Sequence, residues 1–137
     1  MTLEQTAREF FEACETGGGW EACKGYCHDG ASFACQADAL AGTTTLEGYA
    51  EWMKGLLGPI PDGRYELTAF ATDADRGTVV ASVVFHGTQT GAGGPGAPTG
   101  RPVASDYAYV MRFDGNRIAH MTKIWNDAQA LRQLGWA

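Results

Sequence analysis

Apolar residues recur three or four positions apart in the first sixty residues of the chain, which is the spacing of one face of an α-helix. Thr2 and Gln5 have the sequence of a capping box, so a first helix is predicted to begin there and to end before Gly17. A short second helix is predicted from Trp20 to about Tyr26. The apolar stripe of the first helix consists of Leu3, Ala7, Phe10, Phe11 and Cys14.

A third amphipathic helix is predicted after the pair Thr44 and Thr45, which forms a second capping-box sequence with Glu47. Gly58 followed by Pro59 ends this helix. Its apolar positions are Leu46, Tyr49, Ala50, Met53, Leu56 and Leu57. Between the second and third helices, weak alternation over residues 31–35 predicts a short strand.

The second half of the chain has the composition and alternation of β-strands. Four strands rich in β-branched and aromatic residues are predicted at residues 64–72, 78–90, 103–113 and 117–125. Turn-forming residues at 73–77 and 114–116 are typical of links between antiparallel neighbours. Asn126 is expected to cap a final short helix, which Gly135 ends. We therefore expect one α+β domain over residues 1–137, with three N-terminal helices on a strongly curved antiparallel sheet and a short C-terminal helix.

Residues 91–102 interrupt the β pattern with five glycines and three prolines. Loops of this length in compact domains are usually functional or disordered. Two interpretations stay open. The loop is either a lid over a cavity, with glycines as hinges, or a mobile surface segment or dimer contact.

Charge and composition narrow the classes of function. Ten basic residues against sixteen acidic ones give a net charge of −6, so no nucleic-acid partner is expected. No apolar run approaches the roughly 20 residues of a membrane span, and the first residues lack a signal-peptide pattern. The expectation is a cytoplasmic protein without a membrane partner. It is either an enzyme or a binding domain.

Four cysteines lie near the N-terminal end of the chain, at positions 14, 23, 27 and 35. Without a secretion signal, reduced thiols are favoured over disulfides. Cys23 and Cys27 share a face of the predicted second helix beside His28, which leaves a metal clip as an alternative to buried core thiols. The paired spacing of zinc sites is missing, so no metal and no cofactor are expected.

Three parts of the sequence share one resemblance: residues 123–127 with 131–135, residues 87–91 with 98–100, and residues 106–113. They look like the closing strand and helix, the central loop and the penultimate hairpin, respectively, of the SnoaL-like polyketide cyclase family. The resemblance covers nearly the whole chain. The resemblance implies the cone-shaped nuclear transport factor 2-like fold. It also implies a homodimer formed through the outer face of the sheet.

The resemblance also assigns positions to the family's catalytic side chains, and this sequence departs from them. Lys123 takes the position of an acid/base aspartate, Tyr109 that of a supporting histidine, and Gln89 that of a loop histidine. In the related steroid isomerases the three catalytic positions correspond to Phe10, Cys35 and Tyr109. Neither catalytic set is intact.

Successive side chains of a strand point to opposite faces of the sheet. The positions aligned with the family imply that Lys123 and Tyr109 face inward, and this assigns the other residues of the last two strands to a face. Tyr107 and Met111 then share the inner face with Tyr109, and Met121 and Trp125 share it with Lys123. A buried lysine beside a tyrosine is a candidate base or nucleophile, because burial favours its neutral amine. The alternatives are that Lys123 pairs with a carboxylate or extends to the cone mouth.

The histidines receive separate predictions. His86 is the second candidate for acid/base chemistry and faces either the cavity or a dimer partner. His28 is expected to cap backbone carbonyl groups, and His120 to face outward, because its parity is opposite to that of Lys123.

Candidate ligand-binding residues give an aromatic and thioether lining: Trp20, Phe33, Cys35, Trp52, Met53, Tyr107, Met111 and Trp125. The same residues can also fill an ordinary core. The favoured hypothesis is a cofactor-free cyclase, isomerase or lyase acting on a small apolar or aromatic ligand through Lys123, Tyr109 and His86. The alternatives are a non-catalytic ligand-binding or accessory dimer, and a structural dimer with a filled core.

Overall fold

The computed structural model describes residues 1–137 as four α-helices and five β-strands. The helices are α1 (Leu3–Glu15), α2 (Gly19–Cys23), α3 (Leu46–Leu56) and α4 (Asp127–Leu134). The strands are β1 (Cys27–Cys35), β2 (Arg64–Asp73), β3 (Thr78–Thr88), β4 (Pro102–Asp114) and β5 (Arg117–Trp125). Short 3₁₀ turns cover Lys24–Tyr26 and Asp38–Leu40. The α+β class and the short C-terminal helix are confirmed.

The five strands form one sheet in the order β1-β5-β4-β3-β2. The predicted turns join β2 to β3 and β4 to β5, so β2 through β5 run as an antiparallel meander. β1 pairs parallel with β5, so the sheet is mixed and the expectation of a purely antiparallel sheet is wrong. No hairpin links β1 to its neighbour, and nothing local in the sequence sets its direction.

Local capping follows the sequence at most helix ends. The Thr2–Gln5 capping box is present at α1, and Asn126 caps α4, which ends at Gly135 with φ +76°. At α3 the cap is Thr45, whose side chain accepts a hydrogen bond from the Gly48 amide. The residue three positions after this cap is a glycine, so the predicted box with Glu47 does not form.

The second helix is shorter than predicted, and this places two of the cysteines in different elements. α2 ends at Cys23, and Cys27 already begins β1, so Cys23 and Cys27 do not share a helix face. Cys14, Cys23 and Cys27 are buried as free thiols, and Cys35 is partly buried. A hydrogen bond with Cys23, together with burial, raises the pKa of the Cys14 thiol.

The core lies between the inner face of the sheet and helices α1 and α3. On β5 the alternation slips between Ile118 and His120, where the register with β4 shifts by one residue. This irregularity turns Ile118 inward, although regular alternation would put it on the same outer face as His120, two positions later. None of the four helices has the length and apolar character of a membrane-spanning segment.

The glycine-rich loop after β3 is held by one buried polar side chain. Gln89 is fully buried; its Oε1 accepts from the Thr99 amide at 2.6 Å and its Nε2 donates to the Gly91 carbonyl at 3.0 Å. The Gln89 amide also donates a hydrogen bond to the Arg101 carbonyl, and the Gln89 carbonyl accepts one from the Gly100 amide, at the far end of the loop. Gln89 therefore closes the loop at its base.

Replacing Gln89 with leucine is expected to loosen this loop. The substitution leaves the Thr99 amide and the Gly91 carbonyl without side-chain partners, which costs about 1–3 kcal/mol of unfolding free energy. Urea denaturation and limited proteolysis over residues 91–101 measure the effect. The neighbouring exposed Thr90→Ala is the matched control. Unchanged stability and unchanged cleavage in Gln89→Leu would show that the loop is held by other contacts.

Candidate functional site

A cavity of about 390 Å³ opens between α3, α4, the glycine-rich loop and the inner face of the sheet. This volume lies at the lower end of the roughly 300–1,000 Å³ found for small-molecule sites. Apolar and aromatic side chains dominate its wall, among them Trp52, Met53, Ile60, Phe85, Val103, Tyr107, Trp125, Leu134 and Trp136. The few polar groups in the wall include Lys123 and Ser105.

Lys123 is the one charged residue in the cavity wall. It lies on β5 opposite Tyr109 of β4 and beside Cys35 of β1, and its side chain is directed to the inner face. The residue is 4% exposed, and its Nζ donates a hydrogen bond to the Tyr49 hydroxyl at 3.0 Å. No carboxylate lies within 4.0 Å of the amine, and the ion pairs of the protein lie elsewhere.

Five aromatic rings surround the Lys123 amine. The distances from Nζ to the ring centroids are 4.3 Å for Trp125, 4.9 Å for Tyr107, 5.0 Å for Trp52, 5.0 Å for Tyr49 and 6.0 Å for Tyr109. A cation within about 6 Å of a ring centroid is attracted to the negative face of the ring when it lies over that face. The rings therefore offset part of the cost of burying the ammonium group.

A second buried polar group lies behind the cavity wall. Glu15, at the end of α1, is 2% exposed, and its Oε1 accepts a hydrogen bond from the Tyr107 hydroxyl at 2.9 Å. Its Oε2 has no hydrogen-bond partner. The hydroxyls of Tyr49 and Tyr109 are hydrogen-bonded to each other. Glu15 thus approaches the cavity through Tyr107, whose ring lies in the wall.

Burial sets the protonation of this cluster. Desolvation lowers the pKa of Lys123 to about 8, and the charge of Glu15 opposes the shift. Desolvation also raises the pKa of Glu15, against the opposing effects of Lys123 and the neighbouring phenols. The pKa values of Tyr49, Tyr107 and Tyr109 are raised mainly by burial, so these phenols keep their protons. With a pKa of about 8, part of the Lys123 population is neutral near pH 7.5. The three phenols keep their protons and can donate them in hydrogen bonds.

The structure places only some of the predicted ligand-binding residues in the cavity wall. Trp52, Met53, Tyr107 and Trp125 are in the wall. Phe33, Met111, Trp20 and Cys35 are not; they pack in or against the core. Phe33 stacks on Tyr49 with ring centroids 4.5 Å apart, so it supports the ring that holds Lys123. Tyr109 is fully buried behind the wall and reaches the amine through Tyr49.

The three histidines lie away from the Lys123 cluster. His86 is on the outer face of the sheet, where its Nε2 lies 2.9 Å from Glu66 Oε1, and it does not line the main cavity. His28 is on β1, with Nε2 2.9 Å from the Asp114 carbonyl oxygen. His120 lies between Ser32 and Thr122, and burial lowers its pKa. His86 therefore does not join Lys123 and Tyr109 in one site.

Two members of the cluster had no predicted role in the site. Glu15 lies four residues after Phe11 and so continues the apolar stripe of α1, where a carboxylate is out of place. That break in the pattern is the signal that could have identified it. Tyr49 was placed on the buried face of its helix, and nothing in the sequence distinguishes its hydroxyl from that of any other core tyrosine.

The glycine-rich loop forms one side of the cavity. Gly93, Gly94 and Pro95 are in the wall, and the Trp136 ring packs so closely on Gly94 that an added Cβ would lie 3.0 Å from it. Thr99 also donates from its hydroxyl to the Leu134 carbonyl at 2.7 Å. The loop is thereby joined to the C-terminal helix over the cavity.

The sequence profile of the SnoaL-like polyketide cyclase family matches residues 5–134, nearly the whole chain. The chain belongs to the SnoaL-like polyketide cyclase family. No curated protein sequence matches this SnoaL-like chain.

Solved structures show the same nuclear transport factor 2-like fold. IdmH of Streptomyces antibioticus, described as a "putative polyketide cyclase", superposes with a TM-score of 0.80 at 20% identity, over 98% of this chain and 99% of IdmH. A protein of Acidithiobacillus ferrooxidans with the same description gives 0.77 at 24% identity, over 99% and 96% of the two chains.

A third structure with the same fold carries a different functional description. AclR of Streptomyces galilaeus, described as a "putative hydroxylase", superposes with a TM-score of 0.78 at 16% identity, over 98% of this chain and 85% of AclR. At these identities the comparisons establish the fold, and the activity has to be argued from the side chains in the cavity.

The buried amine predicts a pH-dependent stability difference between the wild type and Lys123→Met. Because the pKa of Lys123 falls from 10.5 to about 8 on folding, the unfolded chain binds more protons between these two values. The unfolding free energy of the wild type therefore rises with pH in this window. Relative to Lys123→Met, it is expected to rise by about 2 kcal/mol between about pH 7.5 and pH 9.5.

Urea denaturation at the two pH values measures this change. Lys24→Met is the matched control, because Lys24 is exposed and pairs with Glu21 on the surface. Its stability difference from the wild type is expected to be independent of pH in this window. A constant difference for Lys123→Met as well would contradict the burial of the amine.

Proposed function

We propose that this SnoaL-like protein binds a small, flat, apolar or aromatic metabolite in the cavity and carries out cofactor-free proton transfer on it. Cofactor-free cyclase, isomerase and lyase reactions by proton transfer require a base that removes a proton and an acid that returns one. Lys123 is the proposed base, and Tyr107 in the cavity wall is the proposed acid.

The observation that carries the proposal is the environment of the Lys123 amine. It has no carboxylate partner within 4.0 Å, it lies among aromatic rings, and Trp52, Tyr107 and Trp125 of those rings also line the cavity. A base works best when its pKa is near the working pH, and burial brings that of Lys123 to about 8. Proton transfer of this kind needs no metal or organic cofactor.

The wall of the cavity supports a flat ligand. Trp52 and Trp125 meet edge to face with centroids 5.8 Å apart, and the Trp125 indole donates a hydrogen bond to Ser105 at 2.8 Å, which fixes its ring. Rigid aromatic walls favour ligands with their own apolar or aromatic faces. Tyr109 is proposed as a positioning residue, because its hydroxyl reaches the amine only through the hydroxyl of Tyr49.

The outer face of the sheet exposes Ile124 at 62% and Val80 at 38%. We propose this face as the homodimer contact. It lies on the opposite side of the sheet from Lys123, so the dimer would leave the cavity free.

A simple ketone tests the proposed base. 2-Tetralone is a bicyclic aromatic ketone whose acidic protons exchange in deuterated water when a base removes them, and NMR follows the exchange. We expect exchange with the wild type to be about 100-fold faster than with Lys123→Met. Tyr107→Phe should also slow the exchange, because the phenol no longer donates to the forming enolate.

Tryptophan fluorescence measures binding in the same samples, since Trp52, Trp125 and Trp136 line the cavity. Lys24→Met serves as the control and is expected to exchange the ketone protons at the wild-type rate. Equal exchange rates in the wild type and Lys123→Met, with the ketone bound to both, would reject Lys123 as the base. Absence of quenching with this ketone would count against the cavity as a site for such ligands.

A further inference from the structure

The Lys123 amine lies among side chains that line the cavity. Nζ is 4.3 Å from the centroid of Trp125, 4.9 Å from that of Tyr107 and 5.0 Å from that of Trp52. All three rings line the cavity, and so does Lys123 itself. The amine is therefore next to three rings that a ligand in the cavity would contact.

The surroundings of this amine also suit a nucleophile. A lysine reacts with a carbonyl group only as the neutral amine, and a nearby carboxylate would hold the proton on it. The Lys123 amine has one polar partner, the Tyr49 hydroxyl at 3.0 Å, and no carboxylate within 4.0 Å. Its burial in an apolar wall favours the neutral form.

We propose that Lys123 is a nucleophilic site that forms a Schiff base with an aldehyde or ketone held in the cavity. The proposal rests on the proposed function, because the same cavity must hold the carbonyl compound. It goes further in naming the ligand class and a covalent intermediate.

The step balances without an oxidant or reductant. The nitrogen lone pair forms a bond to the carbonyl carbon while the carbon–oxygen π bond breaks, and a proton passes from the nitrogen to the oxygen to give a neutral carbinolamine. The hydroxyl then takes a second proton and leaves as water. The product is an iminium ion joined to Nζ of Lys123.

The same side chains that surround the ammonium group suit this iminium ion. It carries one positive charge at the same nitrogen, so the aromatic rings around Nζ continue to attract it. Its N–H can donate to the Tyr49 hydroxyl, which already accepts from Nζ. The covalent product therefore needs no new charge partner in the cavity.

A proton source for the loss of water lies on the adjacent strand β4. The Tyr107 hydroxyl donates to Glu15 at 2.9 Å, and the second Glu15 oxygen has no partner. Burial raises the pKa of Glu15, so its protonated form is accessible at higher pH than that of an exposed carboxyl. When Glu15 is protonated it can donate to the Tyr107 oxygen, and the Tyr107 hydroxyl is then able to give its proton to the leaving hydroxyl and take one from Glu15.

Reductive trapping tests the proposal. The protein is incubated at about pH 7.5 with a low concentration of 2-naphthaldehyde and sodium cyanoborohydride, which reduces an imine to a stable secondary amine. Intact mass is expected to increase by the mass of one probe less one oxygen atom. Peptide mapping should place the adduct on Lys123, at a rate about tenfold or more above that of Lys24 and Lys54, the chain's other two lysines, both exposed.

Substitutions at Lys123 distinguish the effect of its nucleophilic amine from the effect of its positive charge. Lys123→Met removes the amine, Lys123→Arg keeps a positive charge that cannot form an imine, and both are expected to lose the selective adduct. Lys24→Met should keep it. The peptide map of the wild-type protein decides the question by itself if either Lys123 variant fails to fold.

A matched ligand separates this proposal from the proposed function. 2-Naphthalenemethanol has the same ring system and no carbonyl group, so it can bind but cannot form an imine. Quenching by the alcohol together with a Lys123 adduct from the aldehyde supports the Schiff base. Quenching by the alcohol with no adduct, or with adducts spread evenly over the amines, overturns it and leaves ligand binding intact. Absence of quenching by both compounds and of a Lys123 adduct overturns both proposals.

Discussion

The central constraint on this structure is the burial of one ammonium group without a carboxylate beside it. An unpaired charge in a protein interior is costly, and the group responds by shifting its pKa. Around Lys123 the cost is reduced by the aromatic rings and by the Tyr49 hydroxyl, while Glu15 contributes its charge from farther away. The result is an amine that exchanges its proton near neutral pH beside an apolar cavity.

The fold brings this environment together from distant parts of the chain. Alternation along β4 and β5 directs Tyr107, Tyr109 and Lys123 to the inner face, while α1 supplies Glu15 and α3 supplies Tyr49 and Trp52. The loop closed by Gln89 completes the cavity wall. Membership of the SnoaL-like family accounts for this framework, and the side chains at the inner end of the cavity set its chemistry.

The sequence predicts those features that depend on local pattern. Helical periodicity and capping residues located α1, α3 and α4, and the turn residues located both hairpins of the meander. The parallel pairing of β1 with β5 was beyond such reasoning, because it joins segments about ninety positions apart. Resemblance to the family and strand alternation placed Lys123 and Tyr109 inside. They could not show that Glu15 and Tyr49 complete the cluster, nor that Phe33 and Met111 pack in the core while Trp52 and Trp125 face the cavity.

Direct titration of the lysine side chains tests the central claim most simply. The chain has lysine at positions 24, 54 and 123 only, so the NMR signals of the three side-chain Cε groups can be assigned and followed with pH. The account predicts that the Lys123 signal titrates with a pKa of about 8. A Lys123 signal that titrates near 10.4, the value of a solvated lysine, would contradict it.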